Sequence, residues 1–171
     1  MIIKLTIFNW RFTFSCAPIT KIIGVNSILP NGNHILMWDF DDITLNNVVA
    51  ALLITQRTYN LPTIYIMETK KDKNYIAYCF KEVTWRKTIE IITYTKGVDY
   101  NFIKYGIYRN KFTLRVSPKC GRKPKLVYKL FSDEPEDVKI KELKSWVQYE
   151  TIPDNFKQKK VELNVMGSST T

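Results

Sequence analysis

The chain has 171 residues, of which 45% are hydrophobic and 25% charged, with 6 Gly and 7 Pro. This composition is typical of one folded domain, or one domain with a tail, and excludes a collagen-like or low-complexity chain. Lys and Arg number 26 against 16 Asp and Glu, which gives a net charge of +10. So basic a chain favours a polyanionic partner: nucleic acid, nucleotide or an anionic membrane surface.

Several classes of protein are excluded by what the sequence lacks. His34 is the single histidine, so neither a His-rich metal site nor a two-histidine nuclease site can form. Cys16, Cys79 and Cys120 are far apart without a C-x-x-C pair, which argues against zinc and disulfides and favours a reducing cytoplasm. The sequence contains no run of 18 apolar residues, so no membrane span is predicted. The absence of a P-loop argues against an ATPase or helicase.

The first part of the chain is predicted to be rich in strands. Residues 2–15 combine β-branched and aromatic residues, which predicts one long strand or two short ones rather than a signal peptide. Pro, Gly and Asn in 18–33 predict a loop or short hairpin. The apolar run 34–40 predicts a buried strand.

The middle of the chain alternates helices with a hairpin. Asp42 or Thr44 can cap a helix that continues to about residue 60, and Pro62 prevents its extension. Strands are predicted over 63–67 and 75–81, joined by a polar turn. A second helix follows, capped by Thr84 and ended by Lys96-Gly97.

The last third is predicted as a hairpin, a helix and a tail. Strands 111–117 and 125–131 flank PKCGRKP, and the segment before them is left unassigned. Apolar spacing predicts a third helix over 135–149. Residues 1–153 then form a single domain, and 154–171 a polar, flexible C-terminal tail. The element order predicts an α+β fold, a sheet with helices packed on one face.

Aspartates supply the first candidate site. Asp39 and Asp41 alternate on or beside the predicted strand 34–40 and so share a face. Paired carboxylates repel unless a cation lies between them, as Mg²⁺ or Mn²⁺ does in phosphoryl transfer. Asp99, expected on a short strand, is a third candidate. The alternative is that Asp41 and Asp42 cap a helix, Asp39 is a surface charge and Asp99 belongs to a turn.

A basic run supplies the second candidate. From Asn101 to Lys129 there are nine basic residues and no acidic ones, interleaved with aromatic residues. Basic groups neutralise phosphates and aromatic rings can stack bases, so this run favours nucleic acid or nucleotide over a membrane surface. The alternative is a solvated face over an aromatic core. The basic residues are Lys104, Arg109, Lys111, Arg115, Lys119, Arg122, Lys123, Lys125 and Lys129.

The succession ILMWDFDD, a helix, LPTIYIMETKKDKNYIAYCF, a helix, KGVDYNF and FTLRVSPKCGRKPKLV resembles the catalytic core of the archaeo-eukaryotic primase superfamily. It looks most like the small primase-polymerases of viruses and plasmids. The resemblance covers roughly residues 34–130 and rests on the order and spacing of the elements. It implies an RRM-like sheet, antiparallel or mixed, as the core of the fold.

The resemblance also implies roles for individual residues. Asp39 and Asp41 match the family's first motif, and Asp99 follows an apolar residue as in its third. These three carboxylates would be the catalytic residues and would bind two Mg²⁺ or Mn²⁺ ions. Arg115, with Lys119 beside it, would contact the triphosphate of an NTP or dNTP.

The second motif departs from the family pattern. The family has S-x-H or G-x-H on the strand after the first helix, whereas this chain has TKKDKNYIAYCF without a histidine. Asn74 or Ile76 takes the histidine's place, depending on register. Lys73, with Lys70 and Lys71, could supply phosphate contacts instead. The family's zinc-binding insertion is also absent.

The sequence therefore predicts a primase/polymerase-like nucleotidyltransferase that acts in DNA replication on a single-stranded DNA template, in the cytoplasm, or the host cytoplasm if the protein is viral. The basic residues that would track the template are Lys104, Arg109, Lys111, Arg122, Lys123 and Lys125. Two alternatives stay open: an inactive module that binds single-stranded nucleic acid, and a replication-initiation protein that acts through a partner helicase.

Overall fold

The computed structural model describes residues 2–15, 19–119, 121–151 and 160–164. Within these ranges the chain is an α+β protein, as the sequence predicts. The strands are β1 (Ile2–Ile7), β2 (Trp10–Ser15), β3 (Thr20–Asn26), β4 (His34–Phe40), β5 (Ile64–Lys70), β6 (Asn74–Val83), β7 (Thr113–Arg115), β8 (Lys125–Leu130), β9 (Trp146–Thr151) and β10 (Lys160–Asn164). The helices are α1 (Leu45–Tyr59), α2 (Trp85–Tyr94), α3 (Tyr100–Tyr108) and a 3₁₀ turn, Ile140–Glu142.

The chain divides into two compact units, one formed by the described parts of Met1–Lys21 and Glu150–Thr171 and the other by Ile22–Tyr149. In the first unit β1 pairs with β2 antiparallel and with β10 in parallel. Of the two possibilities predicted for 2–15, one long strand or two short ones, the structure has the two short strands. Strand β10 lies inside the predicted tail, and the rest of that tail, 154–159 and 165–171, lies outside the described residues.

The second unit is built on a four-stranded antiparallel sheet with the order β4-β6-β5-β8. Strand β6 lies between β4 and β5, which α1 connects, so β4, α1 and β5 form a split β-α-β unit. The predicted buried strand over 34–40 is confirmed, since most of its side chains are fully buried.

One face of β4 packs against the helices. The indole Nε1 of Trp38 donates to Oγ1 of Thr95, just after α2, at 2.9 Å. The same Thr95 hydroxyl lies 3.1 Å from that of Thr55 on α1. Because neighbouring strand residues point to opposite faces, Asp39 lies on the sheet face opposite the one that carries Trp38.

Helix caps follow the sequence signals. Thr84 precedes α2, and its side chain accepts a hydrogen bond from the N–H of Lys87 at 3.4 Å. Thr44 takes the cap position of α1, which ends at Asn60 in the left-handed conformation. Both predicted helices therefore form close to their expected bounds.

Three parts of the chain differ from the sequence prediction. The loop or hairpin expected over 18–33 contains β3, because β-branched residues dominate its first half and most of the turn residues follow the strand. The hairpin expected from 111–117 and 125–131 does not form: β7 pairs with β3, and β8 pairs with β5. The unassigned segment before β7 contains α3.

The prediction of a third helix over 135–149 is wrong. That stretch holds the 3₁₀ turn and most of β9. Val138 and Leu143 are buried, yet they reach the core from irregular backbone rather than from one helix face. Four apolar residues over fifteen positions are a weak helical pattern, and Trp, Val, Tyr and Thr near its end favour a strand.

We expect Trp38→Ala to lower the free energy of unfolding by about 3–5 kcal/mol, because it opens a cavity in the core and removes the indole hydrogen bond to Thr95. Trp38 is 0% exposed, whereas Trp10 is 73% exposed. The matched control Trp10→Ala should change stability by no more than about 0.5 kcal/mol. Urea denaturation measures both, and equal effects would contradict this packing.

Candidate functional site

The three predicted aspartates meet at the end of β4. Asp39 is the next-to-last residue of β4, Asp41 follows the strand, and Asp99 caps α3. The N–H of Asp99 donates to the carbonyl of Asp39 at 2.8 Å, which fixes the start of α3 against this strand end. Carboxylates from two distant parts of the sequence are thereby brought into one electrostatic cluster.

Burial, and after it repulsion within this cluster, shifts the pKa of two carboxyl groups. Burial, followed by the charges of Asp41 and Asp99, raises the pKa of Asp39 to about 7. Arg115 and the backbone N–H of Phe40 oppose this rise. Burial and the charge of Asp99 also raise the pKa of Asp41. Perturbed carboxyl groups of this kind concentrate at functional sites.

Asn74, the first residue of β6, belongs to the same cluster. Its side-chain Nδ2 donates to Oδ1 of Asp41, and this contact lowers the pKa of Asp41. Its own Oδ1 is buried and has no hydrogen-bond partner among the described residues. Of the two residues that could replace the family's histidine, Asn74 contacts a site carboxylate, while Ile76 pairs with Asp39 along the strands.

The donor chemistry of the cluster fits Mg²⁺ or Mn²⁺. Carboxylate and amide oxygens are the ligands these ions prefer, and a buried amide oxygen without a partner is an unused one. The side chains do not, however, converge in this conformation: within 2–15, 19–119, 121–151 and 160–164, no three His, Cys, Asp or Glu groups are arranged to hold a metal ion. One oxygen of Asp99 accepts from the N–H of Phe102 at 2.7 Å, as a helix cap.

Arg115 lies beside Asp39 but is largely engaged by the backbone. Its guanidinium donates to the carbonyls of Thr69 (3.1 Å), Arg122 (3.0 Å) and Ser117 (3.3 Å). These bonds fasten the segment after β7 to the end of β5. Of the five N–H donors of an arginine, two remain for a ligand. The contact predicted between Arg115 and a triphosphate therefore competes with the bonds by which Arg115 holds the backbone.

Lys119 is brought to the cluster by a tight turn. The backbones of Lys119 and Arg122 exchange two hydrogen bonds of 3.0 Å, and Gly121 between them has φ +76°, a conformation that favours glycine. The charge of Lys119 lowers the pKa of Asp41. Lys119 is thus a cation near the carboxylates. Among the described residues, its side chain makes no hydrogen bond that would compete with a ligand.

The remaining predicted basic residues are more scattered. Lys73 is exposed in the β5–β6 turn, next to Asn74, and its carbonyl accepts from Ile43 at 3.0 Å. Lys125 pairs with Glu68 along the strands. The charges that shift the pKa of Asp39 and Asp41 include none of the following: Lys104 and Arg109 on or at the end of α3, Lys111 after it, and exposed Arg122, Lys123 and Lys125.

Two tyrosines that sequence analysis missed lie beside Asp39. Burial raises the pKa of the Tyr78 phenol, and its hydroxyl has no partner among the described residues. Tyr149 has a raised pKa from burial, and both Asp39 and Arg115 act on it. The alternation of β6 could have placed Tyr78 on the face of Ile76, but Tyr149 was hidden by the mistaken helix.

Comparison with known proteins adds no relative: no protein-family model, curated protein or solved structure matches the chain. The similarity to the primase superfamily therefore stays a prediction from the residues. Among the described helices, none is both long and apolar enough to cross a membrane.

We expect Asp39→Asn to stabilise the metal-free protein at high pH. A carboxyl whose pKa is about 7 when folded, against about 3.9 when unfolded, contributes stability below pH 4 that is lost as the pH rises to 7. The variant cannot ionise. It should therefore match the wild type at pH 4 and exceed it by about 1–3 kcal/mol at pH 8.

Urea denaturation at the two pH values measures this difference. Asp72→Asn is the control, because Asp72 lies in the exposed β5–β6 turn with a φ of 55°, which asparagine tolerates. A variant of Asp39 that is less stable than the wild type at pH 8 would contradict the proposed repulsion.

Proposed function

We propose that the chain is a primase/polymerase-like nucleotidyltransferase that acts on a single-stranded template. The observation that supports this most is the meeting of Asp39, Asp41 and Asp99 at one strand end. Lys119 and Arg115 lie close enough to influence the pKa values of these carboxyl groups. Clustered carboxylates next to cations are what a reaction between metal-bound phosphates and a hydroxyl requires.

The sheet also suits this function. Because Trp38 faces the helices, Asp39 faces the side of the sheet on which Ile76 and Tyr78 of β6 lie. Ile76 and Tyr78 are themselves buried, so a substrate would approach the carboxylates at the end of β4, where Asp41 is exposed. The split β-α-β sheet agrees with the RRM-like core that the resemblance implies.

Asp39, Asp41 and Asp99, with Oδ1 of Asn74, are the groups that would hold two Mg²⁺ or Mn²⁺ ions. When bound, the ions would neutralise triphosphate charge and make a hydroxyl more acidic. Because the pKa of Asp39 is about 7, cation binding must displace a proton near neutral pH and should strengthen as the pH rises. Asn74 holds Asp41, and Lys119 binds phosphate oxygens of an NTP or dNTP.

A second candidate function is a module that binds single-stranded nucleic acid without catalysis. Two observations favour it. An Asp99 oxygen accepts a hydrogen bond as the cap of α3, and Arg115 donates three N–H groups to backbone carbonyls. Such a module would bind single strands in a salt-dependent way, indifferent to Mg²⁺ and to Asp39.

Incorporation of labelled nucleotides on single-stranded DNA, with Mg²⁺ or Mn²⁺ and with or without a primer, tests the proposal. We expect incorporation by the wild type, a loss of about 100-fold or more in Asp39→Asn, and no loss in the control Asp72→Asn. The reason is that Asp39 is at the centre of the carboxylate cluster, whereas Asp72 lies in an exposed turn.

Two outcomes would contradict the proposal in different ways. Undiminished incorporation by Asp39→Asn would show that the reacting groups lie elsewhere. No incorporation by the wild type, combined with salt-sensitive binding of the same DNA, would favour the binding module.

A further inference from the structure

Helix α3 displays an unusual set of exposed aromatic side chains. Tyr100, Tyr105 and Tyr108 are 72%, 52% and 85% exposed. On a helix, residues four apart lie in one row, so Tyr100, Lys104 and Tyr108 line up with Tyr105 beside them. We call these four residues the tyrosine face. Three large rings left in water on nine residues suggest a ligand with flat surfaces.

The tyrosine face points outward because the opposite side of α3 is fixed in the core. A Cβ atom on Gly106 would lie 2.3 Å from the ring of Phe112, which is fully buried, so only glycine permits this approach. Phe102 packs on the same ring with centroids 4.9 Å apart. The helix therefore cannot turn its tyrosines inward without breaking this contact.

The charged side chains on the tyrosine face and at the C-terminal end of α3 are positive. Lys104 lies over the ring of Tyr105, with its Nζ 5.8 Å from the centroid. Arg109, which ends α3, donates from Nε to the carbonyl of Tyr105 at 3.0 Å. No acidic residue occurs between Tyr100 and Ser132. Planar rings interleaved with cations complement a ligand that carries both flat groups and phosphates.

The tyrosine face is continuous with the carboxylate cluster. Asp99 caps α3, so the face begins at the residue that follows it. At the other end, the charge of Arg109 acts on Tyr149, which is also influenced by Asp39. A strand lying along α3 would therefore have one end beside the candidate site.

We propose that the tyrosine face of α3 binds single-stranded nucleic acid, with bases stacked on the three tyrosines and phosphates paired with Lys104 and Arg109. This rests on the nucleic-acid partner of the proposed function and assigns it a surface. Stacking on tyrosine tolerates any base, so binding along α3 has little sequence preference.

Binding of a fluorescent single-stranded oligothymidylate, followed by anisotropy over a range of salt concentrations, tests the proposal. We expect Tyr108→Ala to weaken binding by about 5- to 150-fold with an unchanged salt slope. Tyr108→Phe should retain wild-type affinity, because the stacking ring remains. Lys104→Ala should reduce the salt slope by about 0.7, the value for one phosphate contact on a single strand.

Tyr94→Ala is the matched control, since Tyr94 is a half-exposed tyrosine on α2, and it should bind like the wild type. Wild-type affinity in Tyr108→Ala would overturn the proposal, and so would an equal loss in Tyr108→Phe. Binding to anionic phospholipid vesicles is the alternative. If Tyr108→Ala abolished vesicle binding and left DNA binding unchanged, the proposal would be overturned in favour of a membrane surface.

The two proposals can fail separately. A wild-type protein that binds the oligonucleotide through Tyr108 but incorporates no nucleotide would support the tyrosine face and overturn the proposed enzyme. If nucleotides are incorporated and Tyr108→Ala does not weaken DNA binding, the tyrosine-face proposal is overturned and the proposed enzyme is retained.

Discussion

The hydrogen bond from the N–H of Asp99 to the carbonyl of Asp39 joins two distant parts of the chain, and the candidate site depends on it. One residue earlier on β4, the Trp38 side chain donates to Thr95. The connection between α2 and α3 is thus fastened both to the backbone edge of β4 and to a side chain on its helix-covered face. Gly97 in this connection has φ +84°, and a Cβ there would approach Ile43 to 3.0 Å. This tight passage brings Asp99 to the other two aspartates.

Holding the carboxylates together opposes folding, because they repel and one of them is largely removed from water. A second acidic region shows the contrast. A cleft of about 340 Å³ is lined by Glu82, Asp137 and Glu142 among others. There, Glu82 accepts hydrogen bonds from two asparagine side chains, and Asp137 pairs with Lys81 at 3.2 Å. Its charges are satisfied by the protein itself, whereas Asp39 gains no comparable partner among the described residues.

Much of the second unit could be predicted from the sequence because local pattern and tertiary packing agree there. Buried β4, amphipathic α1 and the β5–β6 hairpin follow from periodicity, and the D-x-D spacing identified Asp39 and Asp41. Asp99, predicted on a short strand, caps α3 instead, and its N–H donates to the carbonyl of Asp39.

The remainder depended on contacts between distant residues. No local signal shows that β7 pairs with β3 rather than β8, or that Arg115 donates to the carbonyl of Thr69. Tyr149 was missed because a few apolar residues at helical spacing outweighed the strand-forming residues around it. The exposure of the tyrosine face could not be predicted from the sequence either, since an aromatic run is as typical of a core as of a surface. Its exposure follows from the packing of Gly106 on Phe112.

The proposed cation site of Asp39, Asp41 and Asp99 can be tested by Mn²⁺ titration followed by NMR line broadening. We predict that broadening begins at the amides of residues 39–42, 74 and 98–100 and is lost from all of them together in Asp39→Asn. Broadening that instead centres on Glu82 and Asp137, or that is unaffected by the substitution, would contradict it.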